Sequence, residues 1–495
     1  MNNNTELIPT ESQNSAPKKN LAPLVMVFAL LAAMATFFVQ VVRLNMLPHF
    51  YLLGLGAALV FLLLLVALLC WKPGKKLRLG LGIFLTLLLS AGCILGTLYT
   101  SKAFSTIRQI IRRSEAETIQ MGIYVLKDDP ITLQDLKDIP LGRLVSVDRE
   151  ETDTVLKQLG SKLGSTPSSL RYSRPVEMIG ALLGGQVRAI VMSNNLIMAM
   201  STNMGSFSLD MVRRLDSYEV VKSSPPGGEE VPVKEIGPFL LYISGIDDRD
   251  YLAAHSLTDV NILAAVNPAT RQILLVNTPR DYFVHTPVSG EERDKLTHAG
   301  LYGVDVSIGA LNMLYDLKID YFFRIDFAGF KTIIDALGGV DVYSDQTFTV
   351  EDITFQEGMN HMSGYRALLF SRTRYGLAGG DRARGVHQMA VIQAVLKKMM
   401  SSELLKNFFP LMNALSGSFE TTVPYDTISG LVQRQLAEGG GWDLKTFSVT
   451  GADASSATFT FPDVAYVMEP DPALVAAARQ FLRDVLDGKA IDLPQ

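Results

Sequence analysis

FLLYISG (239–245), in the larger part of this chain, is apolar almost throughout and is typical of a central strand buried on both faces. Two further apolar runs, VNILAAV (260–266) and QILLVNT (272–278), flank the turn NPATR. We expect these runs to form further strands. The sequence therefore predicts a sheet that begins with three strands.

The segments that follow alternate between helical and extended patterns. The sequence predicts a helix VSIGALNMLYDL (306–317), a strand YFFRIDF (321–327), a helix AGFKTIIDALGG (328–339), a strand VDVYS (340–344), a last strand LLFSRTR (368–374) and an amphipathic helix DRARGVHQMAVIQAVLKKMM (381–400). This alternation favours an α/β fold over 236–495, namely a three-layer α/β/α sandwich with a mixed sheet.

Three long apolar runs occupy the first hundred residues, at 21–42, 49–71 and 79–100. Each has about the 20 residues that cross a hydrocarbon core of about 30 Å. The connection 72–78 (KPGKKLR) carries four basic residues and 43–48 carries one, and basic connections favour the cytoplasmic side. We therefore predict a cytoplasmic tail (1–20), three transmembrane helices (21–100), and an extracytoplasmic location for everything after about residue 101.

The composition excludes several classes of function. The 495 residues carry a net charge of −5, and the tail has neither a basic cluster nor a helix-turn-helix pattern, so nucleic acid is not expected as a partner. Cys70 and Cys93 both lie in predicted spans, which leaves the exported part without disulfides or thiolate metal sites. The sequence also lacks G-x-S-x-G, P-loop, C-x-x-C and H-E-x-x-H motifs.

The exported part is predicted to contain two domains. SSPPGGEEVPVKE (223–235) is rich in Pro, Gly and charge, as exposed linkers are. Before it, 101–222 is predicted to be a small α/β accessory domain, with GIYVLK as a strand and EMIGALLGGQVRAIVMSN as a helix, a glycine turn and a strand. Its order of elements resembles one lobe of a solute-binding protein. The alternative is a structural spacer or an interaction module.

Arginines are concentrated in SRTRYGLAGGDRARGVHQ (371–388). Arg372 and Arg374 are two apart at the end of a predicted strand and would project from the same face. Asp381, Arg384 and Gln388 would share one face of the next helix. Guanidinium groups stay charged and match phosphate oxygens bidentately, so the cluster predicts a bound polyanion. The alternative is that these arginines pair with scattered carboxylates on a solvated surface.

Charged residues also follow or begin the first three strands. Asp247 follows the first strand, Asp259 begins the second and Arg280 follows the third. If these strands are neighbours, the three side chains lie at one edge of the sheet, where open α/β sheets bind ligands. Two carboxylates beside several arginines predict a hard divalent cation that bridges to phosphate.

Several separated motifs, taken in order, resemble the LytR-CpsA-Psr family of bacterial cell-envelope proteins. They are SGID, TDVNILAAVNP, LLVNTPRDYFV, DKLTHAGLYG, IDYFFRIDFAGFKTIIDALGGVDVYS, LLFSRTRY and DRARGVHQ. The resemblance is dense over about 236–400 and looser to YVMEPDPALV (466–475). It implies transfer of a glycopolymer, such as wall teichoic acid or capsule, from a polyprenyl-pyrophosphate carrier to peptidoglycan, assisted by Mg²⁺ or by Mn²⁺ in its place.

The resemblance also implies roles for individual residues. Asp247 and Asp259 match the acidic positions that serve the metal and the acceptor, with Asp247 the candidate general base. The catalytic set is then Asp247, Asp259 and Arg374. The pyrophosphate set is Arg280, Lys295, Arg372, Arg374 and Arg384, supported by Asp381 and Gln388. The family usually has Arg where this chain has His387, and Arg-Ser where it has Leu257-Thr258. The role of His298, in KLTHAG, stays open.

Three functions remain open at this point. The first is a membrane-anchored glycopolymer phosphotransferase, whose tether raises the effective concentration of a lipid donor at the site. The second is hydrolysis of a polyprenyl pyrophosphate, with water as the acceptor. The third is a non-enzymatic envelope sensor or transcriptional attenuator that binds lipid-linked glycans.

Overall fold

The structure is a computed structural model that describes residues 22–71, 76–223, 236–246, 256–374, 377, 381–401 and 419–493. Most of the predicted linker (223–235) and Asp247 lie outside the described residues. The chain forms two compact units, Met1–Lys102 and Ala103–Gln495. Each is described by itself below.

The first unit consists of apolar helices. Their bounds are α1 Ala22–Leu44, α2 His49–Trp71 and α3 Lys76–Glu115, and the residues of α3 after Lys102 belong to the second unit. Within the described residues, three segments are long and apolar enough to cross a membrane, Leu24–Leu44, His49–Trp71 and Leu77–Lys102. Leu53 and Trp71 are 75% and 80% exposed, an arrangement that suits a lipid environment. The three predicted apolar helices are thus confirmed, and both cysteines are free thiols.

The second unit begins with the accessory domain, residues 116–223. Its elements are β1 Ala116–Leu126, β2 Leu141–Leu144, α4 Arg149–Leu163, β3 Ser169–Tyr172, α5 Pro175–Leu183, β4 Ala189–Ser193, α6 Asn194–Asn203 and β5 Val212–Ser223. They form one mixed sheet in the order β3-β2-β4-β1-β5. Helix α4 covers one face of it and helices α5 and α6 cover the other, so each face is buried in its own apolar core. The domain is α/β, as predicted.

The C-terminal domain, residues 236–493, follows. Its elements are β6 Phe239–Ile246, β7 Thr258–Asn267, β8 Gln272–Asn277, β9 Phe283–Val284, β10 Asp294–Lys295, α7 Leu296–Ala299, α8 Val304–Tyr315, β11 Tyr321–Asp326, α9 Phe327–Ala336, β12 Val340–Ser344, β13 Phe348–Val350, β14 Ile353–Phe355, β15 Gly358–Met362, α10 Gly364–Arg372, α11 Asp381–Met399, β16 Phe419–Thr421, α12 Tyr425–Glu438, β17 Asp443–Ser448, β18 Gly451–Ser456, β19 Ala465–Pro470 and α13 Pro472–Leu486.

Its main sheet is mixed and has the order β16-β11-β6-β7-β8-β17. Strands β6, β7 and β8 pair antiparallel, whereas β11 runs parallel to β6 and β17 parallel to β8. Alternate side chains point to opposite faces of the sheet. Leu240, Leu263 and Leu274 pack with α8 and α13 on one face, and Ile262 and Leu275 pack with α11 on the other. The predicted α/β/α sandwich is confirmed.

The prediction of a last strand at LLFSRTR (368–374) is wrong, because the segment ends the helix α10. Gly364, Ala367, Leu368 and Ser371 are buried at helical spacing, whereas Tyr365 and Arg372 are exposed. A short apolar run does not distinguish a strand from a buried helix by its pattern alone. Arg372 therefore ends a helix and Arg374 lies in the chain after it, so the two do not share the face of a strand.

Candidate active site

The ends of three neighbouring strands form one edge of the main sheet. Thr258 pairs with Ile246, and Ile262 pairs with Asn277, so β7 begins where β6 and β8 end. This geometry brings Asp259 and Arg280 into a direct ion pair. Both side chains are mostly buried, and Nε of Arg280 is buried without a hydrogen-bond partner among the described residues. A buried donor without a partner is costly, and a bound anion would satisfy it.

Helix α11, which contains the second half of the arginine-rich segment (371–388), also reaches this edge of the sheet. A Cβ atom at Gly385 would lie too close to Nδ2 of Asn277, so a larger residue there would require the Asn277 side chain or α11 to shift. Arg384 and Gln388, on either side of that contact, are 5% and 8% exposed. The Gln388 side chain donates to the carbonyl of Ser371 at 3.4 Å. This bond joins α11 to the last turn of α10.

A cleft of about 530 Å³ opens between these elements. It is lined by Asp259, Val260, Arg280, Phe327, Val350, Glu351, Leu369, Ser371, Arg372, Thr373, Arg374, Arg384 and Gln388. Its volume lies within the range of small-molecule sites.

The lining of the cleft is cationic on balance. It contains four guanidinium groups, which we call the arginine cluster: Arg280, Arg372, Arg374 and Arg384. Among the residues that the structure describes, two carboxylates, those of Asp259 and Glu351, line the same space. The guanidinium of Arg372 lies over the Phe327 ring at 4.3 Å from its centroid, a cation–π contact that orients it. The arrangement favours an anionic ligand with several oxygen atoms.

The cleft also has an apolar wall. Val260, Phe327, Val350 and Leu369 contribute to its lining beside the arginine cluster. A ligand that fills the cleft would therefore combine a charged head with an apolar chain, since each part then meets surface of its own kind.

The structure brings most of the predicted site residues together. Those that line the cleft are Asp259, Arg280, Arg372, Arg374, Arg384 and Gln388. Lys295 does not line it. Its Nζ lies 3.2 Å from Asp281, whose Oδ1 is 3.9 Å from Nε of Arg280. Asp247 and the side chain of Asp381 lie outside the described part of the chain.

The two histidines of interest are both buried away from the cleft. The ring of His387 is stacked between Phe348 and Phe370, with centroids 5.3 and 4.1 Å away, and its Nε2 is 3.5 Å from Asp345. Burial lowers the pKa of His387, against an opposing effect of Asp345, so the ring adds no charge to the site at neutral pH. Nδ1 of His298 is 2.6 Å from Oδ1 of Asp294.

Sequence reasoning missed Phe327, Glu351 and Asp281. Asp281 directly follows Arg280 in NTPRD, so its position beside the strand end was available as a signal. Glu351 lies in the tight turn between β13 and β14 at a φ of 46°, and its carboxylate accepts from the hydroxyl of Tyr365 at 2.5 Å. Neither the turn nor Phe327 carries a pattern that points to the cleft.

The residues present fit a divalent cation that arrives with a phosphate ligand. Within the described residues, no group of three or more His, Cys, Asp or Glu side chains is suited to hold a metal. Asp259 and Glu351 offer carboxylate oxygens in the cleft. Mg²⁺ is commonly bound through one or two carboxylates, with waters and phosphate oxygens as the other ligands. The donor set matches that mode rather than an all-protein cage.

Known proteins resemble part of this chain. A polyisoprenyl-teichoic acid–peptidoglycan teichoic acid transferase, TagU of Bacillus cereus, is 33% identical over 201 residues, which cover 40% of this chain and 65% of the relative. TagU of Enterococcus faecalis is 30% identical over 220 residues, covering 44% and 72%. The chain thus spans just under two thirds of the first relative. The crystal structure of Bacillus subtilis TagV matches with a TM-score of 0.44 and 25% identity, over 51% of this chain and 98% of that structure.

A family model also matches the chain. The sequence model of the LytR_cpsA_psr family matches residues 203–467, which is more than half of the chain. The match begins inside the accessory domain, ahead of β5, and includes every residue that lines the cleft. On this evidence the chain belongs to the LytR-CpsA-Psr family.

Proposed function

We propose that this protein is a membrane-anchored phosphotransferase that moves a teichoic acid or similar glycopolymer from a polyprenyl-pyrophosphate carrier to peptidoglycan. The observation that carries the proposal is the cleft, in which the arginine cluster lies beside an apolar wall. A polyprenyl pyrophosphate has the matching parts, namely a charged head and an apolar chain. The names of the TagU relatives support the same substrates.

The reaction we propose is attack by a sugar hydroxyl of peptidoglycan on the phosphorus that carries the glycan. A new P–O bond forms, the bond to the bridging pyrophosphate oxygen breaks, and polyprenyl phosphate leaves. The hydroxyl proton passes to a general base, for which we propose Asp247. Negative charge on the non-bridging and leaving oxygens has to be stabilised, and the arginine cluster provides fixed positive charge at the site.

The buried and exposed arginines would divide this work. Arg384 is 5% exposed and Arg280 is mostly buried, so their donors are held in place before substrate binds. Arg372 is exposed and rests on Phe327 at the rim of the cleft. We assign Arg280, Arg384 and Arg374 to the pyrophosphate, and the exposed Arg372 to the entry of the head group into the cleft.

Mg²⁺, or Mn²⁺ in its place, is part of the proposal. Asp259 would hold it together with Asp247, and Glu351 offers a further carboxylate in the described cleft. Such an ion supplies charge neutralisation on the phosphate oxygens. Lys295 contributes indirectly, through Asp281 and Arg280.

The membrane anchor explains how an enzyme of this kind finds its donor. The donor is confined to the bilayer, so tethering the cleft through α1, α2 and α3 raises the effective concentration of one at the other. We propose that the N-terminal tail is cytoplasmic and that both α/β domains lie outside the membrane, in keeping with the basic connection 72–78.

The test is to give the full chain in detergent micelles a polyprenyl-pyrophosphate-linked saccharide, peptidoglycan fragments and Mg²⁺, and to follow the products by mass spectrometry. Arg374→Ala is compared with the wild type and with Arg434→Ala, an arginine that pairs with Glu438 on α12 away from the cleft. We expect a saccharide-phosphate adduct on peptidoglycan in the wild type and in Arg434→Ala, and a loss of at least tenfold in Arg374→Ala. Free saccharide phosphate without an adduct would favour hydrolysis, and binding without turnover would favour a sensor.

A further inference from the structure

The accessory domain and the C-terminal domain share one buried apolar core. Leu182, Ile190 and Met192 of the accessory domain belong to the same cluster as Tyr302 and Phe459 of the C-terminal domain. All five side chains are at most 4% exposed. The accessory domain is therefore packed against the C-terminal domain rather than held only by the connecting chain.

Arg174 makes two contacts across this boundary. It directly precedes α5 and forms an ion pair with Glu292 of the C-terminal domain. Its guanidinium also lies over the Phe459 ring, 5.0 Å from the centroid. One side chain thus touches two separate segments of the neighbouring domain, one that contains Glu292 and one that contains Phe459.

These two segments are joined to each other by Asp294. This carboxylate is 1% exposed and accepts from the backbone N–H of Thr460 at 3.1 Å and from the Thr460 hydroxyl. It is also 2.6 Å from the ring of His298 and accepts from the backbone N–H of Lys295 at 2.8 Å. A buried carboxylate with this many partners holds its surroundings in one arrangement, since losing any of them is costly.

The segment that begins at Asp294 contacts Arg280, which lines the cleft, and its neighbour Asp281. Lys295 pairs with Asp281 at 3.2 Å, and Asp281 is 3.9 Å from Nε of Arg280. The backbone N–H of Thr297 donates to the carbonyl of Arg280 at 2.9 Å. Thr297 therefore holds the main chain of Arg280, and Asp281, which pairs with Lys295, lies beside its side chain. Arg280 in turn pairs with Asp259.

We propose that Arg174 of the accessory domain is a positioning residue for Arg280, acting through the segment 292–297. The role rests on the proposed function, because it concerns how well the cleft holds a pyrophosphate. In this arrangement the accessory domain keeps Glu292 and Phe459 in place, and Asp294 and Lys295 pass that constraint to Asp281 and Arg280. Loss of the Arg174 contacts then loosens the pyrophosphate end of the cleft and leaves the remaining arginines where they are.

The experiment uses the full chain and the transfer assay described above, with KM for the lipid-linked donor and kcat measured separately. Arg174→Ala is compared with Arg188→Ala, which removes another accessory-domain arginine from an ion pair with a carboxylate of the same domain, Asp129. We expect Arg174→Ala to raise KM about fivefold with kcat within twofold of the wild type, and Arg188→Ala to leave both unchanged. Equal KM values for the two variants would overturn the proposal.

A double-mutant cycle with Lys295→Ala separates this role from general destabilisation. If Arg174 acts through Lys295, Arg174→Ala has no further effect on KM in the Lys295→Ala background. An unchanged fivefold effect in that background would mean that Arg174 acts by another route and would contradict the proposal. Thermal unfolding of each variant is recorded, and assays are run at least 15 °C below the lowest midpoint.

Comparison of Arg374→Ala with Arg174→Ala distinguishes a failure of the proposed phosphotransferase function from a failure of the positioning role. If Arg374→Ala abolishes transfer and Arg174→Ala is silent, the phosphotransferase stands and the positioning role falls. If Arg374→Ala retains full transfer, the proposed function of the cleft falls, and the positioning role that rests on it falls as well.

Discussion

The two α/β domains of this protein are built on mixed sheets of similar size and differ in what lies where their strands end. In the C-terminal domain, β7 begins beside the ends of β6 and β8, and Asp259 and Arg280 meet at that edge. In the accessory domain, β3 leads to Arg174, which contacts the neighbouring domain. The first edge opens into a cleft and the second is used for packing.

A sheet edge needs more than the ends of its strands to become a binding site. Arg280 is the one member of the arginine cluster that follows a strand of the main sheet, and the other three come from α10, the chain after it and α11. Helix α11 reaches the edge because Gly385 allows close contact with Asn277. We therefore place the proposed chemistry in the C-terminal domain.

The largest expected effect comes from the most buried member of the arginine cluster. Arg384→Gln removes a positive charge from the cleft while keeping a long polar side chain. We expect transfer to fall about 100-fold, which is typical when one fixed donor to the transition state is lost. Rates are measured beside Arg188→Gln in the accessory domain, which should behave like the wild type. Equal activity of the two variants would remove the contrast between the domains.

The next effect tests how α11 reaches the sheet. Gly385→Ala places a methyl group against Asn277, and we expect a loss of about 1–3 kcal/mol in the free energy of unfolding together with about tenfold lower activity. Gly441→Ala is the matched control, because a Cβ atom there meets no other atom within 4 Å. Asn277→Ala in the Gly385→Ala background should recover part of the activity. No recovery would show that close packing at this point is not what positions Arg384.

A smaller effect is expected at the rim of the cleft. Phe327→Ala removes the ring beneath Arg372, and an exposed cation–π contact is worth about 0.5–1 kcal/mol. We expect KM for the lipid-linked donor to rise about two- to fivefold, and Phe327→Trp to stay near the wild type. Steady-state kinetics over a range of donor concentrations measures both. A loss confined to kcat would argue against a role in binding.

The smallest effect concerns the pH dependence of stability. Because burial lowers the pKa of His387 in the folded state, the unfolded chain binds a proton there first as the pH falls, and stability is lost below about 6.5. His387→Phe removes this proton uptake and keeps the stack with Phe348 and Phe370. The melting temperature of the variant minus that of the wild type should therefore increase as the pH falls from 7.5 to 5. A constant difference would mean that His387 is not held neutral.

Much of the fold followed from patterns of residues close together in sequence. The runs at 239–245, 260–266 and 272–278 are long, apolar and separated by turn residues, so β6, β7 and β8 and the meeting of Asp259 with Arg280 were predictable. LLFSRTR was predicted wrongly because its short apolar run fits a strand as well as a helix. The context that decides it is burial against α9 and α11.

The parts of the cleft that sequence reasoning missed come from tertiary contacts. The ring of Phe327 lies beneath Arg372, which is 45 positions away in the numbering. A tight turn brings Glu351 to the lining of the cleft. Lys295 was expected at the phosphate and instead contacts Asp281. No periodicity in the sequence encodes which charged side chain contacts another across the fold.

The most direct test of the central claim is the binding of geranylgeranyl pyrophosphate to the full chain, compared with geranylgeranyl monophosphate and the uncharged alcohol. Isothermal titration calorimetry with Mg²⁺ present measures the three dissociation constants for the wild type and for Arg384→Gln. The account predicts that the pyrophosphate binds at least tenfold more tightly than the monophosphate, that the alcohol binds most weakly, and that the preference for pyrophosphate collapses in Arg384→Gln. Equal affinities for the three ligands, or a preference that survives in the variant, would contradict it.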